Sequence, residues 1–336
     1  MMDTTKSTER LLDVRGLTVE IAGRNGPAIV VDGIDLHVNR GETLGVVGES
    51  GCGKSLTMLS LMRLLPNKIK VTKGSAHFDG RDLQTMSNRE LRKVRGGDIG
   101  FVFQDPMTSL NPVMRVGDQI CEPLIYHRGL RKADARERAV ELLRLVGIPG
   151  PEERLQAYPH ELSGGMRQRV MIAIGLACNP KLLIADEPTT ALDVTIQAQI
   201  VDLVKELRSK LGMSIVWITH DLALIAGLVD RVAVLYAGTV VEDAPVDELY
   251  AHPSHPYTRG LLASIPKLSD APASRLSSIG GTPPEPGRRP KGCPFAPRCP
   301  LVESICHERV PKLEPLNGAG NHRTACFVVQ KMREAA

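Results

Sequence analysis

The residues with the clearest chemical purpose form a glycine-rich loop between an apolar run at 43–48 and a segment with helical spacing at 55–65. The loop fits the pattern G-x-x-x-x-G-K-[ST], and its residues are Gly48, Glu49, Ser50, Gly51, Cys52, Gly53, Lys54 and Ser55. Glycines let successive backbone N–H groups turn toward one anion, and the helix that follows adds its N-terminus. Lys54 offers a charge to phosphate oxygens and Ser55 a hydroxyl to Mg²⁺. The pattern predicts a nucleoside-triphosphate site, in which a small permissive role for Cys52 is favoured over a redox role.

A second set of reactive residues is an acidic pair that ends the apolar run at 182–185. Asp186 is placed to hold Mg²⁺, directly or through water, and Glu187 to polarise an attacking water as a general base. One acid at the end of a strand would be weak evidence. Two adjacent acids in a chain with a phosphate-binding loop indicate nucleotide hydrolysis.

Strands that alternate with helices must position these residues. Apolar runs at 43–48, 99–103, 182–185 and 214–219 alternate with helical stripes around 135–146 and 196–211, which predicts a mainly parallel α/β sheet. Shorter strands are expected at 11–14, 17–21 and 34–38. In such a sheet, the residues that follow the strands meet at one edge.

Composition excludes several classes of protein. The 336 residues are 42% hydrophobic and 24% charged, which argues against a mainly disordered chain. No apolar run approaches 18 residues, and residues 1–10 lack the apolar core of a secretory signal, so we expect a cytosolic chain that does not cross a membrane. The net charge of +4 is small, and the aromatic residues are few (five Phe, five Tyr and one Trp). Neither feature argues for a nucleic-acid partner.

Four further motifs resemble those of ABC-type ATPases, in order and spacing, over residues 10–265. Residues 162–168, LSGGMRQ, resemble the LSGGQ signature, with Met166 where Gln is usual. Gln104 resembles the Q-loop glutamine and His220 the switch histidine. The D-loop resemblance is at Ala191, Leu192 and Asp193.

This resemblance implies a RecA-like P-loop core with an inserted helical subdomain at about 106–178. Gln104 would reach Mg²⁺ or the attacking water, and His220 the γ-phosphate. The signature residues Ser163, Gly164 and Gly165 would cover the nucleotide of a second ABC ATPase subunit in a head-to-tail dimer, and a paralogue is favoured over an identical chain as that subunit. Residues 26–32 depart from the family because they hold no aromatic ring for adenine, which leaves Ile29 or a residue elsewhere to pack against the base.

A finer resemblance, extending through the tail, is to the ATP-binding subunits of dipeptide and oligopeptide importers. It rests on residues 103–112, 185–199 and 255–258. It implies an ATPase at the cytoplasmic face of the membrane, with ATP and Mg²⁺, two transmembrane permease subunits and an extracytoplasmic solute-binding protein. Importers of nickel chelates or glutathione-like solutes are an alternative. A soluble ABC ATPase acting on nucleic acid or ribosomes is a second alternative, opposed by the modest charge and the lack of a second ATPase half or a long coiled-coil insertion.

The tail carries the last candidate site. An ABC ATP-binding domain is predicted at 1–268, a Ser-, Pro- and Gly-rich linker at 269–292 and a cysteine-rich extension at 293–336. The spacing of its cysteines leaves zinc, a [4Fe–4S] cluster and free or disulfide-bonded thiols open, and the importer resemblance implies the cluster. Neighbouring His307 and His322 are expected at the surface. The candidate ligands are Cys293, Cys299, Cys306 and Cys326.

Overall fold

A computed structural model describes residues 9–23, 26–190, 192–265, 278–285, 287–316 and 320–334, the side chains of 333 and 334 excepted. Ala191 of the predicted D-loop therefore lies outside the described residues, as do residues 269–277 and 286 of the predicted linker and residues 1–8. The chain divides into two compact units. The first unit comprises Glu9, Val38–Thr43 and Thr85–Ile218, and the second comprises Arg10–His37, Leu44–Gln84 and the described part of Thr219–Ala336.

The described residues contain twelve β-strands and thirteen α-helices. The strands are β1 (Arg10–Gly23), β2 (Gly26–Asn39), β3 (Thr43–Val47), β4 (Ile69–Phe78), β5 (Arg81–Asp82), β6 (Ile99–Val102), β7 (Leu182–Asp186), β8 (Ser214–Thr219), β9 (Arg231–Tyr236), β10 (Thr239–Pro245), β11 (Glu314–Pro315) and β12 (Arg323–Thr324). The α-helices are α1 (Lys54–Leu61), α2 (Asn88–Val94), α3 (Pro106–Ser109), α4 (Val116–Arg128), α5 (Lys132–Leu145), α6 (Pro151–Arg154), α7 (Gly164–Leu176), α8 (Val194–Leu211), α9 (Leu222–Ile225), α10 (Val246–Ala251), α11 (Pro256–Ala263), α12 (Ser304–Glu308) and α13 (Phe327–Glu334).

In the first unit, β6, β7 and β8 lie side by side as parallel strands, with Ile99 opposite Leu182 and Asp186 opposite Ile218. Every residue of β7 and β8 is buried, as expected for parallel strands covered on both faces. Helices α3 to α7 occupy the chain between β6 and β7. A Cβ on Gly100 would lie 2.1 Å from a backbone oxygen of α7, so only glycine permits this close packing of the helix on β6.

The second unit holds two groups of strands. One is a sheet in the order β2-β1-β4-β5, in which β1 and β4 are antiparallel. In the other, the order is β11-β12-β10-β9-β3. Here β3 is parallel to β9, and the remaining pairs are antiparallel. The strands β3 and β9 are buried throughout, and β3 leads directly to the glycine-rich loop.

The predicted strands at 11–14 and 17–21 are one strand, β1. Its register with β4 shifts between Arg15 and Val19, and Gly16 within that stretch has a positive φ of 57°. This irregularity interrupts the alternation of apolar residues, which is why the sequence indicated two strands. The predicted helix at 55–65 is shorter and ends at Leu61, before Arg63 with φ 49°. Among the described residues, none of the helices is long and apolar enough to cross a bilayer.

Candidate functional site

The phosphate loop, residues 48–55, connects β3 to α1 within the second unit. A Cβ on Gly48 would lie 2.2 Å from the Leu235 carbonyl oxygen and 2.7 Å from Cys52 Sγ, so no larger residue fits. Gly51 and Gly53 have φ values of 78° and 101°, which favour glycine. Gly53 is the N-cap of α1, so the positive end of this helix lies at the loop. Binding of phosphate by this loop stays a prediction.

The Lys54 side chain is buried, and its ammonium donates hydrogen bonds to the Gly48 carbonyl oxygen at 2.8 Å and the Glu49 carbonyl oxygen at 3.1 Å. The charge is therefore held inside the turn of the loop. Ser55 is the second residue of α1 and is half-buried, and Ser50 is exposed.

Cys52 faces away from solvent within the loop. Burial raises the pKa of its thiol, and the charge of Lys54 opposes this only in part. The thiol is therefore protonated at neutral pH and is a poor nucleophile. This fits a small packing residue better than a redox site.

Glu49 is fixed at both its backbone and its side chain. Its N–H donates to the Tyr257 hydroxyl at 2.9 Å. Its carboxylate accepts two hydrogen bonds from Arg298, at 2.7 and 2.9 Å. Both partners come from the C-terminal third of the chain.

In the first unit, Asp186 ends β7 and Glu187 follows it, with exposed fractions of 5% and 9%. Glu187 has a positive φ of 45°, which is unusual for a residue with a side chain. Its Oε2 accepts a hydrogen bond from Gln104 Nε2 at 3.1 Å and another from Thr190 Oγ1 at 2.9 Å. Gln104 and Glu187, both predicted catalytic residues, are therefore in direct contact.

The predicted signature residues begin α7 in the first unit. Ser163 is the N-cap, and its hydroxyl accepts a hydrogen bond from the Met166 N–H at 3.3 Å. A Cβ on Gly165 would lie 3.0 Å from Ile196 of α8, so this helix start packs closely on the next helix. Gly164 has more room, with Leu192 3.7 Å from its Cβ position. Ser163 and the glycine that follows it are exposed, so the start of α7 lies at the surface.

Two further predicted residues lie at strand or helix ends. His220 follows β8, is exposed and belongs to the second unit. Asp193 caps α8 by accepting a hydrogen bond from the Ile196 N–H at 2.9 Å. This capping role comes from the Asp side chain itself and does not require a partner subunit.

The four tail cysteines, at 293, 299, 306 and 326, are free thiols that line one small cavity. Burial raises the pKa of Cys293 to about 11, and the other three thiols contribute to the rise. Burial also raises the pKa values of Cys299 and Cys326. No group of three or more His, Cys, Asp or Glu side chains is arranged to hold a metal ion in the part of the chain that the structure describes.

The two histidines of the tail differ. His307 is exposed, as expected. The surface prediction for His322 is wrong, because its side chain is only 13% exposed and its Nε2 lies 2.7 Å from the buried carboxylate of Glu242. His322 and Glu242 are 80 positions apart in the chain, and a single sequence gives no indication that two such distant residues are paired.

Sequence reasoning missed three residues that contact predicted site residues. Thr190 contacts Glu187, while Tyr257 and Arg298 contact Glu49. The proximity of Thr190 to the acidic pair was a usable signal, since a side chain three positions on can reach back across a turn. Nothing in the local sequence marks Arg298.

Comparisons with known proteins agree with this geometry. Residues 31–190 match the family model described as ABC transporter, and residues 241–306 match that of the oligopeptide/dipeptide transporter C-terminal region. The chain is 49% identical to the oligopeptide transport ATP-binding protein AppD of Bacillus subtilis, over 96% of this chain and 97% of the relative. It is 47% identical to the dipeptide transport ATP-binding protein DppD of the same organism, over 98% and 97%.

A solved structure with a similar fold is an ATP-binding cassette, seen as a dimer after hydrolysis with ADP and Pi bound. It is 30% identical, with a TM-score of 0.63, over 70% of this chain and 98% of that one. Another is CbiO1 of Clostridium perfringens, part of an ABC transporter complex, with a TM-score of 0.62 and 30% identity over 73% and 92%. These likenesses confirm the predicted P-loop α/β fold of an ABC ATPase.

The chain therefore belongs to the ATP-binding proteins of the ABC transporter family. Within that family, its likeness over nearly its whole length places it among the oligopeptide and dipeptide transport ATP-binding proteins.

Proposed function

We propose that this chain hydrolyses ATP to power the uptake of dipeptides or oligopeptides by a membrane importer. The observation that carries the proposal is the Glu187 carboxylate, which is held at the end of a buried parallel strand by Gln104 and Thr190. Oriented in this way, it is suited to take a proton from water. Peptide as the solute is supported by the names of the relatives and by the C-terminal family match.

In the proposed reaction, a bond forms between the water oxygen and the γ-phosphorus as the bond to the β–γ bridging oxygen breaks. Glu187 accepts the proton of the water, and ADP and phosphate are released. The amides of the phosphate loop and the Lys54 ammonium stabilise the negative charge on the transferring group. His220 would contact the γ-phosphate.

The residues proposed for Mg²⁺ are Ser55, Gln104 and Asp186, which supply a hydroxyl, an amide oxygen and a carboxylate. Oxygen donors of this kind fit a hard divalent cation. When bound, the ion neutralises charge on the β- and γ-phosphate oxygens. Asp186 is well suited because it is nearly buried at the end of β7.

The proposed assembly has two ATPase subunits, each presenting Ser163, Gly164 and Gly165 to the nucleotide of the other. An exposed helix start, with its N–H groups and the Ser163 hydroxyl, supports anion binding by this segment. A paralogue as the second subunit and an extracytoplasmic solute-binding protein complete the proposal.

Two permease subunits would bring this chain to the cytoplasmic face of the membrane. Large apolar side chains are exposed on both sides of Gln104, with exposed fractions of 40% for Phe103, 61% for Met107 and 79% for Val113. Exposed apolar residues grouped in this way favour a protein partner. They support the proposal that residues 106–178 form an inserted helical subdomain facing the permeases.

The C-terminal extension is proposed to hold a [4Fe–4S] cluster on its four cysteines. Four cysteine sulfurs, the donor type that the cluster requires, line one cavity, although they are not arranged as a metal site in the described residues and zinc would accept the same ligands. When bound, the cluster would cross-link and so stabilise a segment that is too small to build a large core of its own. Anaerobic purification followed by iron, sulfide and zinc analysis tests this. About four iron and four sulfide ions per chain are expected, whereas one zinc ion, or no metal, would refute the cluster.

The hydrolytic role is tested by Glu187→Gln. We expect ATP hydrolysis by the assembled importer to fall by about 10²–10⁴-fold, with ATP binding retained, because the amide cannot accept the proton. Glu206→Gln is the matched control, since Glu206 lies on the exposed face of α8 and pairs only with Lys210 among the ion pairs described. Hydrolysis near the wild-type rate in Glu187→Gln would show that another group is the base.

A further inference from the structure

One side chain of the tail is built into the phosphate loop. The Arg298 guanidinium makes a two-pronged ion pair with Glu49, with N–O distances of 2.7 and 2.9 Å. The Arg298 side chain is only 4% exposed and that of Glu49 is 27% exposed. Water competes weakly with such a pair, which sets it apart from the surface ion pairs of the chain.

The remaining donors and the flat face of Arg298 are also used. Its Nε donates to the Gly280 carbonyl oxygen at 2.8 Å, and Nη2 also reaches the Ile279 carbonyl oxygen at 3.2 Å. The guanidinium lies over the rings of Tyr236 and Phe295, 5.7 and 6.0 Å from their centroids. A guanidinium held on all sides has one orientation, so it fixes the carboxylate that it binds.

The position of Arg298 depends on the fold of the cysteine-rich tail. It ends a short 3₁₀ turn, Ala296–Arg298, between Cys293 and Cys299. Cys293 in turn donates a backbone hydrogen bond to the Cys306 carbonyl oxygen at 2.7 Å. The tail cysteines and the arginine are therefore parts of one local structure.

A second tie reaches the same loop residue. Tyr257, on α11, accepts a hydrogen bond from the Glu49 N–H. This helix is anchored by His255, whose Nδ1 accepts from the Tyr257 N–H at 3.1 Å, and by Glu242, which accepts from the His255 N–H at 2.9 Å. Tyr257 and Arg298 both lie within residues 241–306, the part that matches the transporter C-terminal model.

The loop needs such support because its function depends on the direction of its N–H groups. Two of its glycines adopt left-handed φ values, and glycine-rich segments lose much conformational freedom when they order. A loop that is already ordered before the nucleotide binds loses less conformational entropy on binding. Glu49 is the first residue after Gly48, where the loop departs from β3.

We propose that Arg298 is a positioning residue for the nucleotide site: through Glu49, it holds the phosphate loop in the conformation that binds ATP, and so couples nucleotide affinity to the folding of the cysteine-rich tail. The inference rests on the proposed function, since it concerns the same nucleotide. It assigns the C-terminal region a task within the ATPase.

The test measures ATP affinity of the full chain by equilibrium titration, and ATP hydrolysis by the assembled importer. Arg298→Ala is expected to weaken ATP binding about tenfold and to raise the KM for ATP by the same factor, while kcat stays within about twofold. Arg298→Lys, which keeps the charge and loses the two-pronged geometry, should fall between wild type and Arg298→Ala. Arg288→Ala is the matched control, because Arg288 is 80% exposed and pairs with Glu285 in the same tail.

A double-mutant cycle separates positioning from general destabilisation. Glu49→Gln should weaken binding as Arg298→Ala does, and the double variant should be no weaker than either single one, because both changes break the same link. Equal affinity in wild type and Arg298→Ala, or additive losses in the double variant, would overturn the inference. Should Arg298→Ala not fold, wild-type affinity in both Glu49→Gln and Arg298→Lys would overturn it equally. A wild-type chain that binds no ATP would instead refute the proposed function.

Discussion

The two halves of the nucleotide chemistry are supported in different ways. Glu187 is held partly by a near neighbour, Thr190, three positions along the chain. Glu49 of the phosphate loop is held by residues 208 and 249 positions away, Tyr257 and Arg298. The carboxylate is therefore positioned partly within its own motif and partly by Gln104, 83 positions away, whereas Glu49 of the loop is held by residues more than 200 positions away.

This difference separates two kinds of defect. Changes near Glu187 should slow hydrolysis and leave nucleotide affinity intact, because they affect the group that takes the proton. Changes at Tyr257 or Arg298, which hold Glu49, should weaken affinity and leave the rate at saturating ATP intact.

The largest effect is expected from Asp243→Asn, which breaks another attachment of the tail. Asp243 is buried and binds Arg231 of β9, at 2.7 Å, and Arg323 of β12. The variant leaves two guanidinium groups without this carboxylate, so we expect the free energy of unfolding to fall by about 3–5 kcal/mol at neutral pH. ATP affinity of the folded protein should stay within about twofold, since the change is remote from the loop. A tenfold loss would show that any loosening of the tail, and not the loss of the Arg298 contact in particular, weakens the loop.

The same variant has a pH signature. Burial favours a raised pKa for Asp243, but the two arginines outweigh it and lower the pKa below its ordinary value. A lowered pKa gives stability above the unfolded value, about 3.9, that is lost as pH falls through the folded value. The difference between wild type and Asp243→Asn in chemical denaturation should therefore be constant near neutral pH and shrink in acid. Asp202→Asn, at a 77% exposed aspartate, is the control for the substitution itself.

The next largest effect is expected at Gly48, where the loop leaves β3. The methyl group added in Gly48→Ala would overlap the Leu235 carbonyl oxygen, so the backbone would have to shift. We expect this shift to cost at least about 1–3 kcal/mol. We expect ATP affinity to fall by roughly 10²-fold, as titration of the full chain would measure. Gly51→Ala is a graded control: it has a positive φ of 78° but open space at its Cβ, and should lose only about tenfold. An equal or larger loss of ATP affinity in Gly51→Ala would mean that the close approach at Gly48 is not the main constraint on the loop.

A smaller effect is expected from Thr190→Val, which removes one of the two hydrogen bonds to Glu187 Oε2. The shape of the side chain is kept, so the loss is about 1–1.5 kcal/mol, or roughly tenfold in kcat. The KM for ATP should not change. Thr72→Val, at an exposed threonine of β4, provides the control for the substitution itself. A rise in the KM for ATP with unchanged kcat would show that Thr190 supports nucleotide binding and not hydrolysis.

The sequence could predict the parts of the site that are local. The glycines, Lys54 and the acidic pair lie within short motifs whose spacing follows from strand, loop and helix geometry. The contact between Gln104 and Glu187 follows from two parallel strands that end at one edge. The long-range ties could not be predicted, because Arg298 and His322 lie in a segment without periodicity, and their partners are fixed only by folding. Irregular strands such as β1 were also misjudged, since a shifted register breaks the apolar alternation.

The smallest expected effect is that of Tyr257→Phe. This variant separates the contribution of the Glu49 backbone contact from that of the Glu49 side chain. The variant keeps the ring, which packs 4.7 Å from that of Tyr236, and removes only the hydroxyl that accepts the Glu49 N–H. An amide that loses its partner costs about 1 kcal/mol, so ATP affinity should fall about fivefold, less than in Arg298→Ala.

Tyr250→Phe is the matched control, because the Tyr250 hydroxyl bonds to the Leu222 carbonyl oxygen and does not contact the loop. It should leave ATP affinity unchanged. If Tyr257→Phe weakens binding more than Arg298→Ala does, the backbone tie is the main support of the loop and the ion pair is secondary. If the ion pair dominates, as its two short hydrogen bonds and deep burial suggest, the tail acts on ATP binding chiefly through the Arg298 side chain.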